Sequence, residues 1–129
     1  MFEFSAVIPT LVYRDLRAAH DFMIEVFGFG SVSCMSGEDG VVYHAEVQAG
    51  HTSIWLHRVL KEHDLDAVDS ASMSSTGHTV YVDNVDLHYE RASASGAKID
   101  YPPKDQPYGR EYGVRDLEGH RWWFIARTP

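Results

Sequence analysis

The sequence predicts an α+β fold made of two βαβββ modules with curved sheets. Three observations support this prediction. The same order of strand pattern, helix pattern and glycine occurs twice in the chain, each copy contains a helical stretch with a capping residue, and alternating strand patterns surround each helix. The first copy covers residues 8–30 and the second covers residues 77–99, with Asp15 and Asn84 at equivalent places (84 − 15 = 69). Few residues are identical between the copies, so the shared pattern predicts the two modules.

Each copy contains one helix with a capping residue at its start and a glycine at its end. Asp15 and Asn84 can accept a hydrogen bond from an unpaired backbone N–H of the first turn. Gly28 and Gly96 end the helices, because glycine adopts the left-handed conformation readily. Apolar residues at helical spacing are expected to face the core. They are Leu16, Ala19, Met23, Val26 and Phe27 in the first helix, and Val85, Tyr89 and Ala92 in the second.

Strand patterns follow both helices. Residues 41–47 and 53–58 alternate around a turn at 48–51, and residues 97–101, 111–115 and 120–126 are strands of the second half. The polar residues 59–76 are expected to link the modules. Residues 101–110 contain three prolines, which predicts a stiff exposed loop. The chain is therefore expected to form a single domain, 1–129, with module one at 1–58, a linker at 59–76 and module two at 77–129.

Composition narrows the class of function. The chain has 129 residues, 44% of them hydrophobic, and a net charge of −8, which disfavours nucleic acid because a phosphate backbone requires a basic surface. Its single cysteine, Cys34, excludes an intramolecular disulfide and a zinc site of several thiolates. The start has no signal-peptide pattern, and no apolar run reaches the roughly 20 residues that span a bilayer. We therefore expect a cytoplasmic protein with no membrane partner.

Two stretches of sequence resemble a known family. They are DLRAAHDFMIEVFGF at residues 15–29 and YGREYGVRDLEGHRWWF at residues 108–124, where the turn 116–119 precedes an aromatic strand. With the doubled βαβββ plan, they resemble the vicinal oxygen chelate superfamily, which includes glyoxalases, ring-cleaving dioxygenases, fosfomycin-modifying enzymes and bleomycin-resistance proteins. The resemblance implies that the curved sheets surround a trough, and that a homodimer completes it.

The resemblance also implies where a metal would bind. Metal-using members place one ligand on the first strand and one on the last strand of each module. Carried onto this sequence, these places hold Ile8, Trp55, Gly77 and Trp123, and none of these side chains binds a metal. The neighbouring His78 points to the opposite strand face from Gly77 because strand side chains alternate. We therefore expect no metal, no cofactor and no catalytic residue set.

Aromatic side chains dominate the candidate ligand site. The six candidate ligand-binding residues are Trp55, Trp123, His57, Tyr108, Arg110 and Tyr112. Trp55 and Trp123 occupy two of the four family metal-ligand positions, where planar side chains can stack on a flat ligand. His57 shares the strand face of Trp55, and the other three residues border the proline-rich segment.

Alternation along the last strand places other aromatic residues away from that site. Trp122 and Phe124 are expected in the core beneath a helix, on the opposite face from Trp123. The histidines of the helices and the linker, namely His20, His63 and His88, are expected on the surface.

Three functional hypotheses follow. The first is a metal-free binding protein that sequesters a small planar or antibiotic-like ligand in an aromatic pocket. The second is a glyoxalase-like metalloenzyme, a lyase, isomerase or dioxygenase, whose ligands lie elsewhere. The third is a metal-free enzyme or an accessory protein of secondary metabolism. The residues at the four family metal-ligand positions cannot bind a metal, which favours the first hypothesis over the second, because a catalytic metal site needs about three protein ligands. The first and third predict the same site residues.

Overall fold

The computed structural model describes residues 1–69 and 74–128 and contains two four-stranded mixed sheets, each with one helix. Module one comprises β1 (Thr10–Tyr13), α1 (Leu16–Glu25), β2 (Gly30–Ser36), β3 (Val42–Ala49) and β4 (Thr52–Arg58). Module two comprises β5 (His78–Tyr81), α2 (Val85–Ala94), β6 (Lys98–Gln106), β7 (Gly109–Arg115) and β8 (Arg121–Arg127). The strand orders, β1-β4-β3-β2 and β5-β8-β7-β6, are equivalent. The predicted α+β fold with two βαβββ modules is confirmed.

Both helices begin after the predicted caps, but α1 ends at Glu25, so Val26 and Phe27, which were predicted within the helix, lie just beyond its end. Asp15 accepts a hydrogen bond from the N–H of Ala18, and Asn84 accepts one from Leu87, each at 3.0 Å. Gly28 and Gly96 follow the helices with φ of +78° and +81°, the left-handed region in which glycine is least strained. The predicted apolar face of α1 is buried throughout. No helix in residues 1–69 and 74–128 is long and apolar enough to cross a membrane.

Two strands differ from the prediction. The prediction of a loop at residues 101–110 is wrong, because β6 extends to Gln106 and only a tight turn separates it from β7. Pro102 and Pro103 are tolerated because β6 is an edge strand, where a missing N–H removes no essential ladder bond. The pairing with β7 shifts register on both sides of Tyr101. The edge strand β2 was not predicted, because its residues are largely polar.

One hydrophobic core joins the modules, and it lies on the helix sides of both sheets. Phe27 and Phe29, which follow α1, contact the aromatic residues of β8. The ring centroids of Phe27 and Phe124 are 5.0 Å apart, and those of Phe29 and Trp122 are 5.6 Å apart. The other face of each sheet therefore points away from the shared core. We call these two surfaces the open face of module one and the open face of module two.

A buried carboxylate fastens module two to module one. Asp116 lies in the turn before β8 and is only 5% exposed. Its Oδ1 accepts the backbone N–H groups of Glu118 and His120 at 3.1 and 3.0 Å. Its Oδ2 accepts the hydroxyl of Tyr13 in β1 and the indole N–H of Trp122 at 3.0 Å. Burial, with a contribution from Asp116, raises the pKa of Tyr13 well above its ordinary value, so this hydroxyl stays a donor.

Module two also holds both ends of α1. The Glu118 carboxylate accepts the backbone N–H groups of Arg14 and Asp15 at 2.7 and 2.9 Å, just before the helix begins. At the other end, the Arg91 guanidinium donates to the carbonyl of Glu25 at 2.8 Å. A negative group at the N-terminus and a positive group at the C-terminus both stabilise the helix, because each interacts favourably with the helix dipole.

Two helix histidines are not on the surface, contrary to the prediction. His88 donates from Nε2 to the Phe27 carbonyl at 2.8 Å, and its Nδ1 accepts from the Tyr112 hydroxyl at 2.7 Å. Burial, and secondarily Arg91, lowers the pKa of His88, while the Phe27 carbonyl opposes this shift. His20 is buried and bonded to the Ser31 hydroxyl at 2.7 Å. Each histidine is accommodated because its ring nitrogens find partners.

We expect Asp116→Asn to lower the free energy of unfolding by about 3 kcal/mol. The substitution removes the charge that strengthens the hydrogen bonds of Asp116, and it places an amide N–H₂ donor against a hydroxyl or indole donor. Urea denaturation of the wild-type and variant proteins measures this. Glu90→Gln, an equal change of charge on an exposed residue of α2, is the control. Equal stability of the two variants would contradict the role given to Asp116.

Candidate functional site

Trp123 lies at the centre of the open face of module two. It is half-buried, and on the neighbouring strand it pairs with Gly113. A Cβ atom at Gly77 would overlap the Trp123 ring, so this glycine provides the space that the indole occupies. The guanidinium carbon of Arg121 is 5.2 Å from the ring centroid, within the range of a cation–π contact.

Tyr101 of β6 lies beside this tryptophan. A Cβ atom at Gly113 would come within 2.7 Å of the Tyr101 ring, so the absence of a side chain lets the ring cross β7. Lys104 places its ammonium nitrogen 4.3 Å from the centroid of the same ring. Gly77 and Gly113 thus make room for two aromatic side chains on one open sheet face.

Glu111 is the polar residue of this face and was missed by the sequence analysis. It is only 5% exposed, and its Oε1 accepts the hydroxyls of Tyr101 at 3.1 Å and Tyr108 at 2.8 Å. Burial, followed by the charge of Glu111, raises the pKa of Tyr101 to about 12. The hydrogen bond to Glu111 raises the pKa of Tyr108. Alternation along β7, which puts Glu111 on the same face as Gly113, was the available signal.

Trp55 and His57 lie on the open face of module one. Trp55 is 40% exposed and pairs with Glu46, and the His44 ring meets it edge-on at 5.5 Å. His57 is half-buried, with its Nδ1 2.6 Å from the carbonyl of Arg58. These two candidates therefore share a face, as the sequence analysis expected from strand alternation.

Two candidate residues do not join either open face. Tyr112 is fully buried on the helix side of β7, where its ring stacks on Phe124 with centroids 5.6 Å apart. Arg110 lies on the same side and donates to Asp86 of α2 and Asp105 of β6, both at 3.1 Å. Only Tyr108 of the three residues chosen near the proline-rich segment reaches the open face, through its bond to Glu111. For Arg110 the error arose because residues 101–110 were taken for a loop, which has no alternation. Tyr112 lies in the predicted strand 111–115, and the alternation of that strand was not used to assign its face.

The two tryptophans do not meet within one chain. In the part of the chain that the structure describes, no ring contact joins Trp55 and Trp123. The shared core explains this, because each tryptophan lies on the sheet face opposite to it. A cavity of about 660 Å³ lies between the modules and reaches Gly77, against which Trp123 packs.

The four positions at which metal-using members of the family have a ligand lie in different parts of the fold. Trp55 and Trp123 lie within strands, whereas Ile8 and Gly77 precede β1 and β5. Over residues 1–69 and 74–128, no three or more His, Cys, Asp or Glu side chains are arranged to hold a metal ion. His78 lies on the helix side, as expected, with its ring 4.6 Å from that of Trp122.

Comparison with known proteins establishes the family. The model of the Glyoxalase/Bleomycin resistance protein/Dioxygenase superfamily matches residues 6–124. The chain belongs to this superfamily. The predicted resemblance to vicinal oxygen chelate proteins is therefore confirmed.

Individual relatives agree with this assignment. TioX from Micromonospora sp. ML1 is 32% identical, with a TM-score of 0.75 over 97% of this chain and 100% of its own. TnmS3, an antibiotic binding protein from Streptomyces sp. CB03234, is 20% identical, with a TM-score of 0.71 over 99% and 100% of the two chains. At that identity the likeness to TnmS3 shows the fold alone. An uncharacterized protein of Mycobacterium tuberculosis is 29% identical over 91% of this chain and 71% of its own.

Trp122 and Trp123 are adjacent in β8 but have opposite surroundings, because one is in the core and the other is on the open face. We expect Trp122→Ala to lower the free energy of unfolding by about 3–5 kcal/mol, because it removes a buried side chain from the core. Trp123→Ala should cost less, since its indole is half-buried on an open face. Urea denaturation of both variants tests this order, and a larger loss for Trp123→Ala would contradict it.

Proposed function

We propose that this protein binds a small planar or antibiotic-like ligand in an aromatic pocket, without a metal. The observation that carries the proposal is the open face of module two, where Trp123 and Tyr101 lie beside the buried carboxylate of Glu111. Apolar and aromatic surface with a few fixed polar groups is the usual composition of a small-molecule site. Large planar side chains favour a flat ligand, because offset stacking adds about 0.5–1.5 kcal/mol beyond area burial.

The comparisons support binding as the activity. The superfamily description includes bleomycin resistance proteins, and TnmS3, which has the same fold, is an antibiotic binding protein. The description also includes dioxygenases, so a metalloenzyme of this fold is the alternative function. It would need about three protein ligands, which Ile8, Trp55, Gly77 and Trp123 do not supply. A metal-free enzyme or an accessory protein of secondary metabolism would use the same open face.

We propose that the working form is a cytoplasmic homodimer. Trp55 and Trp123 lie on opposite sides of one core, so a pocket that contains both requires module one of a second chain. Closed two-fold dimers are also the commonest oligomers. In such a dimer, Trp55 and His57 of one protomer would complete the pocket built around Trp123 of the other.

The proposed function predicts that acridine, a flat neutral probe, quenches tryptophan fluorescence and binds in calorimetric titrations. Trp123→Ala and Trp55→Ala should each weaken this binding by about 1–4 kcal/mol, because tryptophans in pockets are typical hot spots. Tyr43→Ala is the control, because it removes an exposed aromatic residue of β3 that is on the same strand face as the core residues Ala45 and Val47, away from the open face. This control should bind acridine as the wild type does. Unchanged affinity in both tryptophan variants would refute the aromatic pocket.

The metal-free proposal predicts less than about 0.1 equivalent of zinc, nickel, iron or manganese per chain, since a catalytic site needs about three protein ligands. Elemental analysis of protein purified without chelators measures this. One equivalent of any of these metals would instead favour the metalloenzyme.

The dimer proposal predicts a solution mass of twice the 14.6 kDa of the chain. Light scattering at micromolar concentration, coupled to size-exclusion chromatography, measures it. A monomer mass that persists when the concentration is raised would contradict the shared pocket.

A further inference from the structure

We propose that Glu111 makes the site selective for planar ligands that carry a protonated nitrogen. This inference rests on the proposed function and specifies its ligand class. The Glu111 carboxylate is only 5% exposed, yet it has no cationic partner among the described residues. A buried charge without an opposite charge is costly, so such a group is a candidate for ligand recognition.

The two carboxylate oxygens have different environments. Oε1 accepts both tyrosine hydroxyls, from Tyr101 and Tyr108. No hydrogen bond from residues 1–69 or 74–128 reaches Oε2. Among the described residues, only one side-chain nitrogen or oxygen is both inaccessible to solvent and without a hydrogen bond, and that atom is Nε of Arg121. Because Oε2 of Glu111 has no hydrogen bond either, it must be in contact with solvent. The tyrosines therefore fix the carboxylate while one oxygen stays accessible as an acceptor.

The neighbouring cations are engaged elsewhere. Arg110 is paired with Asp86 and Asp105, on the helix side of the sheet. Arg115 and Arg121 share Asp100, at 3.0 and 3.4 Å. Lys104 pairs with Glu111 in the strand register, but its ammonium group lies over the Tyr101 ring and forms no salt bridge with Glu111. The tyrosine donors do not neutralise the carboxylate either, because they stay protonated and uncharged at neutral pH.

The position of Glu111 suits a ligand stacked on Trp123. Glu111 and Gly113 are two residues apart on β7, which corresponds to about 7 Å along a strand, and Gly113 pairs with Trp123. A ring system on the indole can therefore direct a substituent toward Oε2. A protonated nitrogen there would form a charge-assisted hydrogen bond, roughly twice as strong as a neutral one. An anionic substituent would be repelled.

Three probes with one ring system test this inference in calorimetric titrations at pH 7.5. They are 9-aminoacridine, which is a cation, acridine, which is neutral, and acridine-9-carboxylate, which is an anion. Wild-type protein should bind the cation about tenfold more tightly than acridine, and the anion most weakly. Glu111→Gln, which preserves shape and an oxygen acceptor, should abolish the preference while leaving acridine affinity within about threefold.

A matched control separates Glu111 from general electrostatics and from cation–π attraction. Asp105→Asn removes the same charge from an exposed residue of the same hairpin and should keep the tenfold preference. A preference that survives Glu111→Gln would overturn the assignment to Glu111, because the tryptophan itself attracts cations.

The remaining outcomes distinguish the two proposals. If all three probes bind the wild type equally and Trp123→Ala weakens them, the ligand-class inference fails and the aromatic pocket stands. If none of the probes binds, the proposed function fails and the inference fails with it. If Glu111→Gln is unstable, the wild-type comparison still tests the inference, because equal binding of the three probes would overturn it.

Discussion

The buried carboxylate of Asp116 is the interaction on which the arrangement of both modules depends. It gathers four donors, from β1, from its own turn and from the first part of β8. Because burying a charge without hydrogen bonds is costly, these donors are held in one arrangement. Trp122, whose indole is one of them, is thereby fixed on the helix side. The position of Trp123 on the open face follows from strand alternation.

The same turn explains why α1 depends on module two. Glu118 holds the N-terminal end of the helix and Arg91 holds its C-terminal end, so both termini receive the charge that the helix dipole favours. Phe27 and Phe29 then continue from the helix into the shared aromatic core. The core therefore occupies the helix sides of both sheets, and the two open faces lie outside it.

The proposed site combines spaces left by glycines with a restrained charge. Gly77 and Gly113 lack the side chains that would displace Trp123 and Tyr101. Glu111 is held by two hydroxyls on one oxygen. A rigid aromatic platform beside a preorganised acceptor can select a ligand without large rearrangement, which lowers the entropic cost of binding.

The sequence by itself determined the family, the two capped helices, the repeated βαβββ plan and the opposite faces of Trp122 and Trp123. These features depend on residues close together in the chain, where capping, helical spacing and alternation are direct signals. Tertiary structure decided the rest. Pro102 and Pro103 lie in a strand because β6 is at the sheet edge, and His88 is internal because Phe27 and Tyr112 provide partners. Alternation along β7 could have placed Glu111 on the open face, but its hydrogen bonds to Tyr101 and Tyr108, which make it part of the proposed site, leave no signal in a single sequence.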